Sequence, residues 1–265
     1  MTRGALIFAF NNERTDYLAM AAWNANRIKQ YLGIPVALVT DSPDHGDASK
    51  FDKVIVTKPE SGGQRYFEDY DATITWNNAS RPDAYTLSPW DQTLLLDADY
   101  VVNSSNLKIL FESQEKFLCF RHAFDMTRQD YLLPTFGRHN FPMWWATVIM
   151  FRRSVLSEHI FNVMHMVKTH WQHYKDIYGI ERTAYRNDYA LSIAINLTQG
   201  HTLVSRDIPW AMPSILPKDI VDYDGNIWSI HYQDQQDKSR RIEFRDIDFH
   251  AMGKHHLENV IENHC

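Results

Sequence analysis

Cysteine is almost missing from this sequence. Only Cys119, inside the apolar run KFLCF, and Cys265, at the last position, occur in 265 residues. That pair makes neither a metal-binding spacing nor a disulfide framework, and it fits a reducing cytoplasm. A glycine-rich loop is missing as well: no Gly-x-Gly-x-x-Gly follows the first apolar stretch, which excludes a Rossmann dehydrogenase site there. The same absence counts against a nucleotidyltransferase, which generally cradles its phosphates in such a loop. Positive charge is short, with 27 Lys and Arg against 33 Asp and Glu, for a net charge of −6. That balance does not draw the chain as a whole to a nucleic-acid backbone or an anionic membrane, so any such contact needs a local basic face. No uninterrupted apolar run approaches a membrane span. The opening MTRGALIFAFNNERTDY turns polar by Asn11 and lacks a small-residue cleavage site. It does not read as a signal peptide, and a cytoplasmic location is expected.

What is present is the composition of a packed chain, 44% hydrophobic, with enough residues for a substantial core. ALIFAF (5–10) reads as a buried strand. Thr15 then caps a helix whose face carries Leu18, Ala21, Ala22, Ala25, Ile28 and Leu32, and Gly33 stops it. PVALVT (35–40) and KVIVT (53–57) are further buried strands, so the first 57 residues alternate as a helix-covered parallel sheet does. Residues 58–90, with Gly62-Gly63, Pro82 and Pro89 among many aromatics, read as loop with one short helix. QTLLLDADYVV, KFLCF (116–120) and ATVIMF (146–151) supply three more strands. Ser154 opens a helix to about Tyr174, 187–197 is another, and the last 60 residues read as mostly irregular. No repeat or linker divides the chain, so a single α/β domain is expected over 1–265.

The segment TLLLDADY (93–100) runs three leucines into two carboxylates, whose desolvation is costly unless a positive partner meets them. Asp-x-Asp alone decides little, because Asp69-Tyr70-Asp71, Asp222-Tyr223-Asp224 and Asp246-Ile247-Asp248 repeat it. Only Asp97-Ala98-Asp99 ends a strongly apolar strand, the place where open α/β sheets put their ligand sites. A divalent cation held by both carboxylates and a strand-end turn capped by them are the two readings of that position.

These residues resemble the GT-A-fold glycosyltransferases, most closely the retaining galactosyltransferase and glycogenin group. In that family a strand ending in Asp-x-Asp holds Mn2+ or Mg2+ against the diphosphate of a nucleotide sugar, and LLLDADYVV is similar to it. WATVIMFRRS (145–154) is similar to the family's Asn-x-Gly-Val-Met-Leu-Phe strand, with Trp145 and Thr147 in place of Asn and Gly. RNDYALSIAIN (186–196) is similar to Asp-Gln-Asp-x-Leu-Asn, with Asn187 and Asp188 in the second and third places and Arg186 replacing the first Asp. FHAMGKHH (249–256) keeps the His and Gly of His-x-x-Gly-x-x-Lys as His250 and Gly253, with Lys254 following directly.

The resemblance implies a GT-A, Rossmann-like fold with a mixed central sheet, residues 1–103 forming a nucleotide-sugar half and 104–265 an acceptor half. It implies a transferase that moves a sugar from a nucleotide-sugar donor, UDP-linked in this reading, to a hydroxyl. Asp97, Asp99 and His250 are the implied ligands of Mn2+ or Mg2+; an exposed histidine in a His-rich tail is the other reading of His250, and His231 is the reserve ligand. Donor contacts fall on Ala9, Phe10, Asn11, Asn12, Tyr17, Arg65, Asp97, Ala98, Asp99, Gly253 and Lys254, with Arg81 a further cation for the leaving group and Asp41 a further candidate for the ribose or base. Asn11 and Asn12 also read simply as a turn before the helix. Asp188 and Asn187 are the catalytic candidates. Trp144, Trp145, Trp171, Trp210 and Trp228 are available to cover an acceptor, although most read as packing residues. Members from bacteria and bacteriophages suggest two acceptors, a hydroxymethylated pyrimidine of DNA and a surface saccharide. Arg121, Arg128, Arg138, Arg152 and Arg153 are the basic residues that would favour DNA. A catalytically silent sugar-binding protein remains the non-enzymatic alternative.

Overall fold

The computed structural model describes residues 1–42, 46–181, 184–201 and 207–264. Cys265 and part of the turn after Asp41 lie outside the described residues, whereas Cys119 is a buried free thiol. A six-stranded sheet forms the centre, in the order Lys53–Val56, Val36–Thr40, Arg3–Phe8, Gln92–Asp97, Trp145–Arg152, Phe117–Phe120. The first four run parallel, and Trp145–Arg152 is antiparallel to both of its neighbours, so the sheet is mixed. It draws two strands from beyond residue 103.

The leucine run is explained by this position. Leu94 and Leu96 pack into the core on one face and Leu95 into the core on the other, and all three are fully buried. Strand side chains alternate, so a strand covered on both faces has no polar positions to spare. Helix Tyr17–Leu32 covers one face and helices Val155–Thr169 and Asn187–Thr198 the other. Gly33 ends the first of these in the left-handed region (φ 66°), as expected. Its N-cap, however, is Asp16, which accepts a hydrogen bond from Ala19 N at 3.0 Å, whereas Thr15 turns its hydroxyl to Tyr70. Ser154 caps the 155–169 helix as expected, but a break at His170 separates a second helix, Trp171–Tyr178.

Two stretches read as irregular are ordered. Residues Gln64–Phe67 and Ala72–Thr75 form a hairpin. The last 60 residues hold the strands Met212–Ile215, Ile220–Tyr223, Trp228–Gln233, Ser239–Phe244 and Phe249–Ala251 and the helix Lys254–His264. Met212–Ile215 and Phe249–Ala251 enter a second sheet with Tyr100–Val101, Ala123–Asp125 and Tyr131–Leu132. The chain therefore leaves the central sheet at Asp97 and enters the second at Tyr100, with Ala98 and Asp99 spanning the gap.

A buried ion network ties the second sheet to the C-terminal strands. Arg128 donates to Asp125 Oδ2 at 2.9 Å and to Asp219 Oδ2 at 2.7 Å, and those carboxylates keep only 2% and 1% of their side-chain surface exposed. Burial opposes the Asp125 charge, but hydrogen bonds from Thr127 and Arg128 outweigh it and hold its carboxyl below the usual range. A depressed carboxyl contributes stability that is present above the unfolded pKa of about 4 and is lost as pH falls through the folded value. Arg128→Met is expected to cost about 3–5 kcal/mol in urea unfolding at pH 7, because it strands two buried carboxylates. The deficit should shrink below about pH 4 as Asp125 protonates. A loss under about 1 kcal/mol at pH 7 would show that the network adds little.

Candidate functional site

A cleft of about 860 Å3 opens beyond the carboxyl end of strand Gln92–Asp97. Asp97 and Asp99 line it together with His250, and one ligand atom from each lies within 4.8 Å of the others. The second sheet explains how residues so distant in sequence meet: Phe249–Ala251 pairs antiparallel with Tyr100–Val101, setting His250 opposite Tyr100. Ala251 N also donates to Asp99 O at 3.0 Å, which fixes the turn between the aspartates.

Each aspartate has one oxygen engaged by a cation. Arg81 Nη1 donates to Asp97 Oδ1 at 2.7 Å, and Lys254 Nζ meets Asp99 Oδ2, to which His250 Nε2 also lies 3.4 Å away. The Nδ1 of His250 is buried without a hydrogen-bond partner among the described residues. Burial pushes the Asp97 carboxyl up to about 6, Arg81 opposing and Asp99 adding to the rise. Its side chain nonetheless keeps 27% of its surface open, so a ligand in the cleft can reach it. Burial works against the Asp99 charge too, but Lys254 and His250 overcome it and hold that carboxyl well below its usual range. Two oxygens and an imidazole suit Mn2+ or Mg2+, and the crowding of two carboxylates is what a divalent charge relieves. The three residues fit such an ion.

Arg81 was expected near a leaving group and instead holds the wall together. Fully buried, it spans Asp97 Oδ1, the Ala146 carbonyl at 2.6 Å and the Thr147 carbonyl at 3.2 Å. Ala146 N in turn donates to Asp188 Oδ1 at 2.9 Å, and Asp188 Oδ2 pairs with Arg186 at 3.2 Å. Asp188 thus lines the cleft at the start of helix Asn187–Thr198. Asn187 lines it too, with its amide braced between the Asn78 carbonyl at 2.9 Å and the Tyr185 hydroxyl at 3.2 Å.

Among the other expected donor contacts, Phe10, Tyr17, Arg65, Ala98 and Lys254 line the cleft. Ala9, Asn11, Asn12 and Gly253 do not. Ala9 is buried in the sheet, its N–H on the Val39 carbonyl. Asn11 bonds Asp16 and Leu18 N, and Asn12 accepts from Arg14 N and Thr15 N, so both side chains build the turn into the helix. Gly253 is packed so tightly that a Cβ there would lie 3.1 Å from the Pro217 carbonyl oxygen, which accounts for the glycine without a ligand. Asp41 and His231 are exposed and away from the cleft. Trp144, Trp145 and Trp228 are core residues, although one edge of Trp145 reaches the cleft.

Four of the five arginines expected to favour DNA are engaged within the fold, and Arg138 is exposed. Arg128 is consumed by Asp125 and Asp219, Arg152 bonds the carbonyls of Phe111 and Ser113, Arg153 bonds those of Tyr85 and Ser88, and Arg121 lies over Trp144. Trp76, which the sequence reading passed over, lines the cleft with the Arg65 guanidinium 3.4 Å above its ring. The hairpin produces that contact, and the only signal for it in the sequence is the density of aromatics in residues 58–90.

No protein-family model matches the chain, and no curated protein matches it. Solved structures do. The galactosyltransferase LgtC, in complex with donor and acceptor sugar analogs, is similar at 14% identity and a TM-score of 0.43, over 72% of this chain and 70% of that one. Mouse xyloside xylosyltransferase 1 is similar at 13% identity and a TM-score of 0.45, over 76% and 83%. The glycosyltransferase GlyE of Streptococcus pneumoniae is similar at 11% identity and a TM-score of 0.44, over 78% of this chain but only 45% of its own. A likeness this loose leaves the chemistry to the residues of the cleft. These similar structures are all glycosyltransferases, and this chain has the α/β architecture with a mixed central sheet that the sequence resemblance implied.

Proposed function

We propose that the protein is a metal-dependent glycosyltransferase that moves a sugar from a UDP-sugar to a hydroxyl acceptor, in a cytoplasmic setting. The observation that carries this reading is the meeting of Asp97, Asp99 and His250 at a cleft whose wall bears five cations and four carboxylates, in a chain of net charge −6. The electrostatics of the cleft are thereby reversed relative to the whole, as binding of a diphosphate requires. Asp97, Asp99 and His250 would hold Mn2+ or Mg2+, which supplies charge stabilisation to a departing diphosphate.

The chain's own residues do the rest. Lys254, beside Asp99, is placed to add positive charge at the leaving group, where negative charge develops as the sugar bond ionises. Arg81 fixes Asp97 Oδ1 and so orients a carboxylate that lines the cleft. Asp188, oriented by Ala146 N and Arg186, is the carboxylate available to bind the donor sugar or take the acceptor proton, with Asn187 beside it. Phe10 and Tyr17 supply an apolar and aromatic wall for the base. A hydroxymethylated base of DNA and a surface saccharide both offer the required hydroxyl, and the engagement of Arg121, Arg128, Arg152 and Arg153 within the fold weakens the electrostatic motive for the first.

UDP with Mn2+ is expected to raise the melting temperature by about 5–10 °C at a hundredfold excess over Kd. His250→Ala should weaken UDP more than tenfold in calorimetry with Mn2+, whereas His255→Ala and His256→Ala, outside the cleft lining, should change it little. Equal effects at all three positions, or no thermal shift at all, would overturn the assignment.

A further inference from the structure

Arg65 stands apart from the other arginines of the cleft. Arg81 is matched by Asp97 and Arg186 by Asp188, but Arg65 has no carboxylate partner among the described residues. It lies flat on Trp76 and donates from Nη2 to the carbonyl of Tyr185, the residue before Arg186. Two guanidiniums are thus held in one wall, linked to Asp97 through Asp188, Ala146 and Arg81. The Nε of each is shielded and has no acceptor. Burial, and next the Arg186 charge, push the Arg65 guanidinium below its ordinary value, with Asp188 opposing them.

We infer that Arg65 and Arg186 form a subsite, distinct from the aspartate–histidine centre, that binds the carboxylate of an acidic sugar. A carboxylate has one oxygen to offer each guanidinium, and the contact with Trp76 preorganises Arg65 for such a charge-assisted hydrogen bond. Neither arginine belongs to the group that could hold the cation, Asp97, Asp99 and His250. An apolar ring such as Trp76 beside a guanidinium also suits a sugar, which presents a C–H face next to its charged group. The carboxylate belongs either to the transferred sugar or to the acceptor, and this assignment rests on the glycosyltransferase reading above.

Calorimetry with Mn2+ separates the possibilities. UDP, UDP-glucose and UDP-glucuronic acid are titrated into the natural protein, Arg65→Gln and Arg186→Gln, with circular dichroism confirming the fold and Arg65→Lys standing in if the glutamine variant does not fold. At least tenfold tighter binding of UDP-glucuronic acid than of UDP-glucose, collapsing toward equality in the variants, places the carboxylate on the donor. If the donors bind equally, p-nitrophenyl glucuronide and p-nitrophenyl glucoside are titrated into the UDP–Mn2+ complex. A tenfold preference for the glucuronide, lost in the variants, places the carboxylate on the acceptor. Binding of UDP with no acidic preference in either arm overturns this subsite and leaves the glycosyltransferase reading standing. So does a loss of UDP affinity in the variants as large as the loss for UDP-glucuronic acid, since the arginines would then hold the diphosphate. No binding of UDP in Mn2+ sinks both readings.

Discussion

Asp99→Asn is expected to lower nucleotide-sugar turnover by about 10^3-fold or more while leaving the far-UV circular dichroism spectrum of a folded protein. The substitution preserves shape: the Asp99 backbone carbonyl still accepts from Ala251 N, and an amide oxygen can still face Lys254. What it removes is charge. A neutral amide is a weak ligand for a hard divalent cation. It also leaves Lys254 without the anion that now positions it. Asp222→Asn is the matched control, because Asp222 sits in another Asp-x-Asp on an exposed strand edge, where its side chain accepts from the N–H of Tyr223. Turnover should be retained there. A folded Asp99→Asn protein that keeps its turnover would remove Asp99 from the metal site.

That contrast shows why one Asp-x-Asp was legible and the others were not sites. Leu94, Leu95 and Leu96 announce a strand buried on both faces, and the end of such a strand is where a sheet opens onto ligand, so Asp97 and Asp99 could be singled out by context. His250 could be proposed but not placed from sequence. Its position depends on pairing with Tyr100 across 150 residues of chain, a non-local contact that no local pattern encodes. Strand Ser239–Phe244, SRRIEF, escaped notice because it is largely exposed and charged, and is held by backbone pairing to Trp228–Gln233 rather than by an apolar face of its own. Asn11 and Asn12 take the turn reading that the sequence also offered. Asparagine before a helix competes locally for backbone N–H groups, and that demand was met inside the turn. The arginines show the same limit: a count of positive side chains in a segment says nothing about which faces they occupy or which carboxylates they meet.

Arg81→Met is expected to destabilise the protein by about 3–5 kcal/mol in urea unfolding, the cost of breaking a buried ion pair from one side. The side chain of Arg81 is only 1% exposed, and its removal strips the partner from Asp97 Oδ1 and from the carbonyls of Ala146 and Thr147 at once. Asp97, partly open to the cleft, recovers some hydration, so the lower part of that range is favoured over the upper. Adding Asp97→Asn to Arg81→Met should restore about 1–2 kcal/mol, because the second change neutralises the carboxylate that the first left uncompensated. Asp97→Asn alone should destabilise, since it leaves the buried guanidinium facing a neutral amide. Arg81→Lys separates charge from shape. An ammonium can pair with Asp97 but cannot reach three acceptors in a plane, so this variant should keep more stability than Arg81→Met. Its donor turnover should still fall at least tenfold as Asp97 loses its fixed orientation. Additive effects of Arg81→Met and Asp97→Asn, with no recovery in the double variant, would show that the two residues stabilise the cleft independently and that Arg81 does not set the direction of the Asp97 carboxylate.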